Sequence, residues 1–476
     1  MVNARQDAIQ FWNPSSVAVI ALISFSLSVI GIRLLDDKSG LAALFLLMLI
    51  QVAPFAISFS TGKLNFLSFV MFNHLVTYSI AKLNQLFHIH KLSTVYPETL
   101  ATVQELTTCS LLIILSYYSF YPFVMRGINR GEHKPLFLGK RLLHGIGIFV
   151  LLHTYLTVSV PASIRSIEIV LYFICVVLLF SGRAPKLNGW MLFYRIAAVA
   201  AAFHHFLRFG MLVYAGTVGG VIFVTVCLQR KMRNLLALAF VALMLCALQP
   251  IKSWYRNVIK NVPQATVVEN LGVLGSLAAW KYFGAELDDD IAAVAGITVD
   301  EFDVDEDPGD QTKEALAKGF GRIGDDSLER VLAWTPSKVP YWGGESYANI
   351  PFMFIPRLLW PGKPAWNFWN KFGRQYGFLS SDDYTTSVGV GYLGEAYMNF
   401  GFLGLYSCAI FFGFLVLVVE RLSYMPLGGG YSFLFTCYLS TVISFGNSLG
   451  SILNGIAMIT VILFAMRTRL QSLKTA

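Results

Sequence analysis

Residues 400–420 read FGFLGLYSCAIFFGFLVLVVE, an apolar run that meets no charge until its last letter. A helix needs about 20 such residues to cross a bilayer, where backbone N–H and C=O groups find no water and must satisfy one another. The run therefore predicts a membrane span, and the composition of the rest of the chain extends that reading. Of 476 residues, 55% are hydrophobic and only 13% charged. Soluble domains carry about a quarter charged residues. The expected class is an all-α polytopic membrane protein.

Working outward from 400–420, runs of similar character fall near 15–35, 41–60, 64–82, 106–125, 142–161, 166–181, 188–207, 209–228, 234–250, 429–447 and 450–466. Together they predict about 12 spans. The pair around 188–228 needs a tight turn near His204, His205 and Arg208. The first run, Val17 to Leu35, lacks a basic n-region and a small-residue cleavage site, so it reads as a retained span rather than a signal peptide. All six cysteines lie inside apolar runs with no CxxC. They read as small buried hydrophobes, with neither a disulfide framework nor a metal site expected.

For the net charge of +8, placement matters more than size. With a cytoplasmic N-terminus, the inside set collects Arg5, Lys63, Arg126, Arg130, Lys134, Lys140, Arg141, Arg183, Lys186, Arg230, Lys231, Arg233 and Arg421, and the inner C-terminus adds Arg467, Arg469 and Lys474. The outer short loops hold only Arg33, Lys38, Lys82, Lys91, Arg165 and Arg208. Lysine and arginine favour the cytoplasmic side, so both termini are expected inside. Three regions follow: spans one to nine over 1–250, a large extracytoplasmic segment over 251–399, and spans ten to twelve over 400–476. No nucleotide is available outside the cytoplasm, so chemistry there must draw on a bond already activated in its substrate.

The outer segment begins PIKSWYRNVIK (250–260), which places Lys252, Arg256 and Lys260 on one helical face. These cations suit either snorkelling at lipid headgroups or a cradle for a phosphate or diphosphate. VVENLGVLGSLAAWKYF (267–283) reads as an amphipathic or partly embedded helix. Farther on, Asp303, Asp305, Asp307 and Glu314 have calcium-loop spacing, but Pro308 stands where that loop needs glycine, so a solvated acidic loop is expected. Residues 321–377 then hold five tryptophans beside Arg322, Arg357, Lys363, Lys371 and Arg374. Such a mixture suits sugar faces and anionic linkages, and equally the membrane interface. Glu395, among glycines at the outer edge of span ten, is an ionisable group at a depth where function is the default reading; pairing to a nearby arginine is the bland alternative.

The ordered set PIKSWYR (250–256), GRI with WTPSKVPYWGGESY (321–347), IPRLLWPGKP (355–364), FGRQYG (372–377) and GYLGEAYMNFG (391–401) resembles the bacterial oligosaccharide repeat-unit polymerases, the O-antigen or exopolysaccharide polymerases often called Wzy. The resemblance covers roughly residues 200–420. It implies an inner-membrane glycosyltransferase without cofactor. Such an enzyme moves a growing glycan from undecaprenyl diphosphate onto the sugar of a new lipid-linked repeat, as in lipopolysaccharide synthesis. A chain-length regulator and a flippase are the implied neighbours, along with membrane lipids; no nucleic acid is expected. An O-antigen ligase and a lipid-linked oligosaccharide flippase or transporter are the competing readings.

Two jobs define the candidate residues. Charge grows on the departing diphosphate, so cations must be aimed at it. Arg357 and Arg256 lead, with Lys252, Arg322, Arg208 and Lys363 in support, because a guanidinium stays protonated and binds oxyanions bidentately. A general base must take the acceptor proton. All eight histidines precede residue 206, so the candidates are Glu395, then Glu345, then His205. Trp360, Tyr347 and Tyr255 are the candidate sugar contacts, and no metal is expected.

Overall fold

A computed structural model describes residues 38–60, 65–79, 97–128, 140–159, 162–181, 188–210, 213–229, 234–248, 251–262, 266–295, 297, 327–348, 350–355, 360, 362, 368–384, 386–424, 447–457 and 460–461. The first expected span, the run at 429–447 and the acidic loop with Asp303 to Glu314 lie outside these residues. No strand occurs among the described residues. Three of their helices carry stretches long and apolar enough to cross a membrane: Ala101–Val124, Gly189–Arg208 and Tyr392–Leu422. Shorter apolar helical stretches occur at Ala43–Ala56, Leu171–Phe180 and Leu236–Leu245.

The chain forms two compact units, Met1–His133 with Gly321–Ala476, and Lys134–Phe320. The first holds α1 (Lys38–Ser60), α2 (Phe66–His74), α3 (Pro97–Val124), α12 (Ser327–Trp334), α13 (Ile350–Met353), α14 (Phe368–Gln375) and α15 (Tyr392–Tyr424), with a further helix, α16, at 449–457. Helices α3 and α15 form its central pair. A Cβ at Gly413 would fall 2.3 Å from the Ile113 carbonyl oxygen, so glycine is what lets the two backbones touch. Ser116 seals the contact by donating to the Ile410 carbonyl at 2.7 Å. Small residues and interhelical hydrogen bonds are the usual adhesive between lipid-facing helices, where burial of apolar surface gives little drive. Gln51 of α1 supplies more, accepting from Ser79 at 2.6 Å and donating to Ser110 at 3.4 Å.

The second unit holds α4 (Lys140–Ser159), α5 (Ala162–Ser181), α6 (Asn188–Phe209), α7 (Val213–Gln229), α8 (Asn234–Leu248), α9 (Lys252–Asn261), α10 (Val267–Phe283) and α11 (Asp289–Ala295). Its α6 runs through His204 and His205 to Phe209, and the chain turns only at Gly210, where φ is +61°. The turn expected at His204 to Arg208 therefore lies later. Phe206, Leu207, Leu248, Ile251, Tyr255, Leu274 and Leu277 pack together where the ends of α6 and α8 meet α9 and α10.

Candidate functional site

Helix α15 is broken. Gly401 adopts φ +65° and ψ −151°, outside any helical conformation, and divides Tyr392–Phe400 from the long apolar remainder. A helix end leaves its last carbonyls without partners. Here a loop supplies them: Trp342 N–H donates to the Met398 carbonyl at 2.9 Å and Gly343 N–H to the Asn399 carbonyl at 3.2 Å. Gly344 N–H adds a bond to the Asn399 side-chain oxygen at 2.9 Å. Gly343 and Gly344 both take positive φ, +59° and +94°, which lets the loop turn its amides toward the helix end. The sequence segments WGGESY and GEAYMNFG are thus two faces of one joint.

Glu395 sits in the first half-helix and is 1% exposed. Its Oε2 accepts from Leu449 N–H at 2.8 Å, at the start of α16, and Ser346 donates its hydroxyl to the same carboxylate. Unpaired amides at a helix start carry partial positive charge and suit a carboxylate. Among the described residues no arginine holds Glu395; a helix start and a serine do. Asn399 completes the lattice, donating to Ser346 Oγ at 2.8 Å and to the Glu395 carbonyl at 2.7 Å. On the neighbouring face of the joint, α13 rests on α16: a Cβ at Gly450 would lie 2.7 Å from Met353 Sδ.

Tyr347 follows Ser346, and its ring lies 6.0 Å from that of Phe400. Its buried hydroxyl has no hydrogen-bond partner among the described residues. Burial, followed by the neighbouring Cys408 thiol and Glu395 carboxylate, pushes its phenol far above the ordinary range, so the hydroxyl stays a neutral donor. A buried unsatisfied hydroxyl costs free energy, which makes Tyr347 the polar atom of this joint that lacks a protein partner. Glu345 is placed differently. Both its oxygens accept from Lys371 Nζ at 2.6 Å, and Lys371 lies 4.6 Å over the Trp342 ring. It is an exposed ion pair, open to solvent. Trp360 is also exposed, edge-on to Phe352 at 5.9 Å.

The second unit gathers another group. Tyr255 is fully buried and donates its hydroxyl to the Leu207 carbonyl, and burial raises its phenol well above the ordinary range. Tyr255 is thus committed to tying α9 to the end of α6, which removes its hydroxyl from the sugar contacts expected of it. Arg256 packs its aliphatic stem over Gly210; a Cβ there would lie 2.2 Å from Arg256 Cγ. Its guanidinium has no hydrogen-bond or ion-pair partner among the described residues, and Lys252 stands one turn earlier on the same helix. Arg208 is exposed on the last turn of α6. His205 is buried one turn before it, inside the helix rather than at the turn where the sequence placed it.

Arg357, Arg322 and Lys363 lie outside the described residues. Sequence reasoning did not find Ser346, Asn399 or Gly401. A signal existed in the WGG and NFG segments, but only their docking explains it. No family model, curated protein or solved structure matches the chain.

Proposed function

We propose that this protein is a membrane glycosyltransferase that joins undecaprenyl-diphosphate-linked oligosaccharide repeats on the outer face of the cytoplasmic membrane. The acceptor hydroxyl oxygen attacks the anomeric carbon of the donor glycan. The bond from that carbon to the diphosphate oxygen breaks, and its electron pair leaves with the lipid diphosphate. The acceptor proton passes to the Glu395 carboxylate. In this reading Arg357, Arg322 and Lys363, the cations that follow Gly321 in the sequence, neutralise the charge that grows on the leaving group. A diphosphate departs unprotonated, so one base suffices.

The observation that carries this reading is Glu395 itself. It is a buried carboxylate in the first turn of an apolar helix, held among the described residues by a helix start and a serine, with no cation of theirs bound to it. Beside it lies the unpartnered Tyr347 hydroxyl, a donor ready for a sugar oxygen. The order of the five sequence segments supports the same class.

A second reading, a lipid-linked oligosaccharide flippase, draws on the broken helix, because transporters bind substrate at discontinuous spans. At Gly401, however, loop amides occupy the carbonyls that would hold an ion. Purified protein incubated with lipid-linked repeats separates the outcomes. A ladder of glycans on the lipid supports the polymerase. Movement of the repeat across the bilayer without covalent change means a flippase, and glycan transferred onto added lipid A core means a ligase; either one overturns the proposal.

A further inference from the structure

Helix α10 begins and ends by its own devices. Thr266 and Glu269 form a reciprocal capping box, with bonds of 2.6 and 3.2 Å, and Gly284 closes the helix in the left-handed conformation. Its 17 residues make a rod about 25 Å long. One face, Asn270, Leu274 and Leu277, is buried against Phe206 and Leu207 at the end of α6 and Leu248 at the end of α8. Near its C-terminus, Tyr282 donates to the Ala247 carbonyl at 2.7 Å. The rod therefore lies across the ends of two apolar helices, at the level where those helices stop.

The opposite face is where a water-bathed helix would carry its charges. Here it presents Val268 (77% exposed), Leu271, Gly272, Gly275 and Phe283 (86% exposed). Among the described residues nothing approaches within 4 Å of the Cβ positions at Gly272 or Gly275. The only charged side chains of the helix are turned to other uses: Glu269 to the cap, and Lys281 to the Trp254 ring at 5.6 Å. Trp254 and Trp280 meet edge to face at 5.1 Å beside it, and Lys260 is exposed on the adjoining α9. Indole rings and lysines at the ends of spans mark the headgroup level.

We infer that α10 is an interfacial helix whose outward face is immersed in the leaflet at the outer ends of α6 and α8, with lipid acyl chains as its partner. Water is the wrong solvent for that face. A second copy is the wrong occupant too, since stable interfaces engage roughly 20–30 residues a side. The helices it lies across expose apolar side chains of their own, Ile196 on α6 and Phe240 and Leu243 on α8, as expected of an amphipathic helix seated at a membrane boundary. The first part of the predicted outer segment is accordingly membrane floor, not a soluble lobe.

The test is depth measurement in liposomes, on the full chain with native cysteines replaced by alanine. Nitroxide labels are placed at Val268→Cys, Leu271→Cys and Phe283→Cys, with Glu286→Cys as the reference in the polar chain that follows. Oxygen-to-nickel-chelate collision ratios several-fold higher at 268, 271 and 283 than at 286 support the inference. Equal ratios at all four positions overturn it, and so does spin–spin broadening from 268, 271 or 283 that reports a second copy. In the wild-type background, a photoreactive phenylalanine at 268 or 283 gives the same reading: lipid adducts support the inference, and protein adducts alone overturn it.

Discussion

The two ends of α15 use one device for different purposes. Near its N-terminal end Glu395, and near its C-terminal end Glu420, are buried carboxylates that accept from the first amide of another helix and from a hydroxyl. For Glu395 these are Leu449 N–H and Ser346; for Glu420 they are Phe66 N–H at 3.1 Å and Tyr117. Both satisfy an expensive charge with preformed donors. The surroundings differ. Around Glu420 the helix is continuous and Arg421 caps the Val124 carbonyl. Around Glu395 the helix breaks at Gly401, a loop of two positive-φ glycines docks on the break, and the Tyr347 hydroxyl is left unpartnered. Burial of a carboxylate therefore does not mark a reactive site by itself. In the proposed reading the mark is burial beside a break and a donor without a partner among the described residues.

That contrast is open to direct attack. Glu395→Gln keeps an acceptor for Leu449 but cannot take a proton, so polymer formation falls by ~10²–10⁴-fold at unchanged protein level. Glu420→Gln leaves polymer length on a gel unchanged, and equal losses at both positions would erase the distinction. Arg357→Ala lowers the rate by ~10²–10³-fold, read in single-turnover assays with lipid-linked donor; Arg357→Lys recovers part of it.

Stability sharpens the same comparison. Glu420→Ala strands a buried amide and hydroxyl and costs about 1–3 kcal/mol, seen as a lower unfolding midpoint in detergent. Gly401→Ala forces a Cβ to within 3.0 Å of the Tyr341 hydroxyl at a positive φ. It costs about 1–3 kcal/mol and loosens the joint, so activity falls with the midpoint. Glu345→Gln breaks only an exposed ion pair and shifts stability by less than about 1 kcal/mol; a large loss there would mean that Lys371 matters through Glu345 after all.

Much of the helical framework was readable in the letters. The runs at 142–161, 166–181 and 188–207 match α4, α5 and α6 within a few residues, because apolar length is a local property. Boundaries set by packing were less legible. The helix expected to begin near 400 starts at Tyr392, since Glu395 and Asn399 find their partners inside the fold. Arg256 was legible as a cation, but its seat over Gly210 was not.

By itself the sequence determined that this chain is helical and apolar, with helices long enough to cross a membrane, and it singled out Glu395 as an ionisable group in an apolar stretch. Only the tertiary structure decided what that carboxylate touches. Its partner Leu449 is 54 residues away, and the partner of Glu420 is 354 away. Hydropathy is summed along a segment, whereas a hydrogen bond needs two groups brought together in space, and no local pattern encodes that meeting.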